Sequence, residues 1–128
     1  MSGSGSGGGS GSEETAELAV VEAHLTAFNR RDIDAVMAGF DADAVFTMAA
    51  QLIVGARAIR QAFADSFAVD ARARLDLQRA VVEGDTVACE LTERIEAQGM
   101  THSLDVAAFY TVRNGLLTRV RIYRDLVG

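Results

Sequence analysis

The second half of the chain most restricts its fold. Four extended segments, 72–83, 86–97, 101–113 and 116–125, are separated by Gly84-Asp85, Gln98-Gly99 and Asn114-Gly115. Dipeptides of this kind between strand-like runs suit two-residue hairpin turns, so the segments predict an antiparallel meander. Along it the charged residues Glu90, Arg94, Glu96, Asp105, Arg119 and Arg121 alternate with aliphatic ones. One sheet face is therefore polar and the other apolar, and the apolar face must be covered.

The first half supplies the cover. Over 13–30, Leu18, Val21, Leu25 and Phe28 recur at helical spacing, with Ser12 as a cap and Glu13 and Glu14 suiting the positive end of the helix. Asp32 reads as the N-cap of a short second helix reaching Phe40 and ending near Gly39. Residues 44–50 and 51–54 are short extended segments. Gly55 opens a third helix over 56–69, which turns Ile59, Ala62, Phe63 and Phe67 inward. Three helices followed by a long meander give an α+β fold, the helices packed on one face of a curved antiparallel sheet.

Composition removes several function classes. Residues 1–12 contain only Met, Ser and Gly; they read as a flexible artificial leader, with 13–128 as the folded domain. The leader lacks the cationic start and apolar run of a signal peptide, so a cytoplasmic location is expected. No apolar stretch approaches the roughly 18 residues of a membrane span. A net charge of −6 argues against nucleic acid. All twelve cationic residues are Arg, and without Lys neither Schiff-base chemistry nor a phosphate loop ending in Gly-Lys-Ser/Thr can operate. Cys89 is the single cysteine, which excludes an intrachain disulfide and a thiolate cluster.

The element order, together with AFNRRDIDAVMAGFDADAVF, GARAIRQAF, VVEGDTVACE and AAFYTVRNGLLTRVRIY, resembles the nuclear transport factor 2-like superfamily. The wording is most similar to its SnoaL-like branch, whose relatives include polyketide cyclases, ketosteroid isomerase and limonene epoxide hydrolase. The resemblance implies a cone-shaped α+β barrel with a pocket between helices and sheet. Alignment with the isomerases then turns His24, Phe28, Phe40, Met48, Phe63, Leu91, Glu93, Val106, Ala108, Tyr110, Val120 and Ile122 toward that pocket.

Departures from the relatives narrow the chemistry. The isomerase carboxylate base is replaced by Met48, its protonated carboxyl donor by Ala108 and its tyrosine donor by His24. A thioether or a methyl group cannot take a proton, so steroid isomerisation is rejected. The resemblance to epoxide hydrolases would ask for an Arg and two carboxylates around a water; Arg94 and Glu96 stand two positions apart, but parity puts both outside, where ion pairing with Arg119, Arg121 or Asp105 is the simpler role. His24 is the principal candidate for acid/base work, and its alternative is a histidine bonded to the cavity wall. Glu93 either reaches His24 as a partner or sits hydrated at the rim. Tyr110 could offer its hydroxyl to a ligand or hold one internal hydrogen bond. Cys89 reads as a small buried thiol. His102 stands at a strand start, too far in sequence from His24 and Glu93 to argue a metal site, and no cofactor is expected.

These readings converge on a pocket protein for an apolar cyclic ligand, with His24 and Glu93 as candidate catalytic groups. A non-catalytic binding domain, an engineered scaffold and a dimerisation module are the alternatives. Ala107, Phe109 and Tyr123, beside Arg119 and Arg121 on the outer face, predict a homodimer.

Overall fold

The computed structural model describes residues 15–69 and 72–124. The leader, the expected Ser12 cap with Glu13 and Glu14, and the last residue of the fourth meander segment lie outside that range. Three helices, α1 (Ala16–Asn29), α2 (Ile33–Ala38) and α3 (Ala56–Ala68), pack on six strands: β1 (Phe40–Met48), β2 (Gln51–Val54), β3 (Arg72–Glu83), β4 (Thr86–Ala97), β5 (Met100–Arg113) and β6 (Leu116–Arg124).

Helix α1 starts at Thr15, whose Oγ1 accepts from the Leu18 amide at 3.0 Å. Its other end closes on two bonds, Arg31 N to Phe28 O and Asp32 N to Ala27 O, the pairing that satisfies the last carbonyls when the chain turns left-handed. Arg31 adopts that conformation, at φ 56°, where glycine is the usual occupant. Its side chain offsets the strain. Nη2 donates to Phe67 O at 2.8 Å, and the guanidinium lies 4.8 Å from the centre of the Phe67 ring. Asp32 then caps α2 as expected, accepting from the Ala35 amide. That helix stops at Ala38, short of the expected end, because Phe40 enters β1 opposite Leu117 and Leu117 N donates to Gly39 O at 2.7 Å.

The meander β3–β6 is antiparallel, and its last two turns carry positive φ at both central residues, Gln98-Gly99 and Asn114-Gly115. Strand β1 joins it parallel to β6. The six strands, in the order β2-β1-β6-β5-β4-β3, therefore form an open mixed sheet rather than a wholly antiparallel one. Long connections allow this, since residues 49–115 separate the paired strands. Buried side chains on β4 and β5 each keep one parity: Val87, Cys89, Leu91 and Glu93 on β4, and Val106, Ala108, Tyr110 and Val112 on β5. The helices cover that face. Asn29 ties α1 to it through two hydrogen bonds with the backbone of Leu75 on β3, donating to its carbonyl and accepting from its amide, both at 2.8 Å.

Candidate functional site

Between the helices and the apolar sheet face lies a cavity of about 440 Å³, within the roughly 300–1,000 Å³ of small-molecule sites. Ten of the twelve residues expected to face it do line it: His24, Phe28, Met48, Phe63 and Leu91, and then Glu93, Val106, Tyr110, Val120 and Ile122. Phe40 and Ala108 do not. Both are buried in the core. Ala108 sits between Cys89 and Ile122 in the sheet register with none of its surface exposed, so it is packed within the core rather than open to the cavity it was expected to face.

Helix α3 supplies the aromatic wall. Phe63 is its centre, with ring centroids 6.1 Å from Phe28 and Phe40 and 5.7 Å from Phe46. Ile59 and Ala62 line the same wall, and the exposed Gln51, Asp65 and Ser66 mark where the cavity meets solvent.

His24 occupies an aromatic box. Its ring meets Phe40, Phe63 and Tyr110 edge-on at 5.5, 6.0 and 5.8 Å. The residue is 6% exposed, and Nδ1 has no hydrogen-bond partner among the described residues. Burial pushes the imidazole down to about 4, because no counter-charge offsets the lost hydration of the cation. At neutral pH the ring is uncharged. Burial likewise raises the Tyr110 hydroxyl, with the Cys89 thiol adding to it. It also lifts the Cys89 thiol to about 11, helped by the nearby charge of Glu22.

Glu93 follows neither expectation. It is 4% exposed and lines the cavity, and its Oε2 accepts from Arg124 Nη2 at 3.1 Å. Oε1 is buried with no partner among the described residues. Among the described residues the ion-pair partner of Glu93 is Arg124 and not His24, and Glu93 stands opposite Leu104 whereas Tyr110, against the His24 ring, stands opposite Val87. Arg124, the partner not foreseen, continues the inward alternation of Val120 and Ile122 by one more step. That parity was readable, but a charge at a strand end suggests solvent.

Outside the cavity, Arg94 pairs with Asp76 at 3.0 Å rather than with Asp105, and Asp76 also receives Arg74 at 2.9 Å. His102 is exposed, opposite Ile95. Among the described residues no group of three or more His, Cys, Asp or Glu could hold a metal ion, and no helix is long and apolar enough to cross a membrane.

The sequence pattern of the SnoaL-like domain matches residues 21–120. No curated protein matches the sequence. Among solved structures, a protein of Xanthomonas campestris pv. campestris provisionally assigned as a polyketide cyclase is 26% identical, with 86% of this chain and 90% of that one covered and a TM-score of 0.78. An epoxide hydrolase of the limonene type from M. tuberculosis is 24% identical over 88% of this chain and 85% of that one, with a TM-score of 0.79. TerC, crystallised with polyporic acid, is 21% identical over 87% and 92%, with a TM-score of 0.76.

Proposed function

This chain belongs to the SnoaL-like domain family, with the nuclear transport factor 2-like fold, and from that premise we propose that it binds an apolar cyclic small molecule in the cavity. The carrying observation is the lining itself. Phe28, Phe63, Leu91, Val106, Val120 and Ile122 present rings and aliphatic groups around about 440 Å³, and only a few polar atoms face inward. Mostly apolar walls with sparse polar groups are the usual design of a small-molecule site. The TerC structure, crystallised with polyporic acid, shows that a protein of this fold takes up a small organic molecule.

His24 serves in this reading as a neutral hydrogen-bonding group. An imidazole near 4 is a weak base at pH 7, well below the value suited to general-base work, and Glu93 is paired elsewhere. Binding is therefore better supported than acid/base turnover.

Titration with naphthalene, followed by its own fluorescence, tests the reading. The wild-type protein should take up about one equivalent saturably. Ala62→Phe, which puts a ring into the cavity, should weaken uptake at least tenfold while the protein remains folded, since overpacking costs only about 1 to 3 kcal/mol even where space is short. Equal uptake by both proteins would place the probe elsewhere.

We also propose that the outer sheet face joins two copies. Phe109 meets Tyr123 edge-on at 5.8 Å with the Arg121 guanidinium 5.6 Å from its ring. In register with Phe109 and Arg121 across the sheet stand the exposed Val81 and Leu52. Aromatic and arginine anchors among aliphatics are the composition of an interface core.

A further inference from the structure

Helix α3 carries a charge to the mouth of the cavity. Ala62, Asp65 and Ser66, with Val69 just beyond the helix end, follow one another at the three- and four-residue steps that share a helix face, and all four line the cavity. The stripe begins apolar and presents a carboxylate where the cavity meets solvent. Among the described residues Asp65 pairs with no cation; its Oδ1 accepts from the neutral amide of Gln61 at 2.8 Å. The other charges of the lining cancel. Arg124, the single Arg among the described lining residues, is held by Glu93 at 3.1 Å, and burial keeps His24 neutral. Apolar walls thus end in one uncompensated negative charge.

We infer that the molecule bound in the cavity is an organic cation, an apolar cyclic body carrying a protonated amine that faces Asp65 at the mouth. The inference rests on the cavity reading above and adds the ligand's charge. An ammonium at the mouth balances the charge of the lining. It stays partly hydrated there, so its pairing with Asp65 is not offset by the full cost of burying an ion. The walls favour the same sign: Phe28, Phe46 and Phe63 border this space, and aromatic ring faces attract cations. A net charge of −6 also draws cations toward the protein as a whole. A ligand carboxylate, by contrast, would meet Asp65 with no unengaged Arg in the lining to answer it. No covalent step is involved, and the amine keeps its proton.

Three probes of similar shape on the full chain at pH 7 test this: 2-naphthylmethylammonium, 2-naphthylmethanol and 2-naphthoate. An exposed ion pair contributes up to about fivefold in affinity, so at low salt the ammonium should bind about three- to fivefold more tightly than the alcohol. The naphthoate should bind more weakly than either. In about 1 M salt, where charges act over only about 3 Å, the advantage of the ammonium should shrink to within about twofold. Asp65→Asn should abolish that advantage at low salt, whereas Asp43→Asn, which removes the same charge from an exposed site outside the lining, should keep it. Reading the ratio of ammonium to alcohol within each protein cancels any general weakening. If Asp65→Asn does not fold, the wild-type order of the three probes at low and high salt decides. An ammonium no tighter than the alcohol, a tightest-binding naphthoate, an advantage that survives in folded Asp65→Asn, or equal losses in the two variants overturns the inference. Failure of all three probes to bind overturns the cavity reading as well, whereas an alcohol that matches the ammonium overturns this inference alone.

Discussion

Protonating His24 would place a cation among Phe40, Phe63 and Tyr110 with no partner for Nδ1 among the described residues. The unfolded chain binds that proton near pH 6.5 and the folded protein only near 4. Between those values the unfolded state carries more protons, so His24 costs no stability above pH 6.5 and erodes it as pH falls toward 4, by on the order of 3 kcal/mol in all. Urea unfolding of wild type and His24→Gln at pH 7, 5.5 and 4 should show the wild type losing more, and parallel curves would refute the assignment. Cys89, lifted to about 11 by burial and Glu22, should resist iodoacetamide in the folded protein and react once unfolded; rapid labelling of folded protein would show an accessible thiolate. At this scale the sequence made His24 legible, because an imidazole stands alone on an otherwise apolar helix face. It misplaced Ala108, because strand parity says which face a side chain takes and nothing of whether space lies in front of it.

The elements are held to one another by a few polar contacts that hydrophobic pattern cannot reveal. Asn29 makes two bonds to Leu75, a residue 46 positions away, and nothing around Asn29 in the sequence distinguishes it from a surface residue at the end of a helix. Asn29→Ala should lose about 2 kcal/mol in urea unfolding, since it removes both bonds and leaves the Leu75 amide and carbonyl short of partners; a loss under about 0.5 kcal/mol would mean that the tie carries no load. Meander boundaries were legible to within a residue because each turn announces itself: Gln98-Gly99 and Asn114-Gly115 accept the positive φ that the hairpins require. The parallel pairing of β1 with β6 was not legible. Residues 44–50 show an extended run without any signal of its partner, and the strand that forms, Phe40–Met48, pairs with β6 across a separation of more than sixty residues.

Viewed whole, the molecule is a mixed sheet with helices packed on one face. The outer face, with Tyr123 and Val81 about half exposed, should pair two copies, and a stable dimer buries about 1,200 to 2,000 Å² in total. Sedimentation should therefore give twice the chain mass at micromolar concentration, and Tyr123→Glu should shift it to the monomer; a wild-type monomer would remove the outer face from the account. The inner face carries the central claim, that the cavity is a site for a cyclic small molecule. A crystal structure of the protein grown with 2-naphthol tests it most directly. The predicted result is ring density enclosed by Phe63, Leu91 and Ile122, with the cavity walls otherwise unmoved. Density found only on the outer sheet face, or side chains closing the cavity at saturating probe, would contradict it.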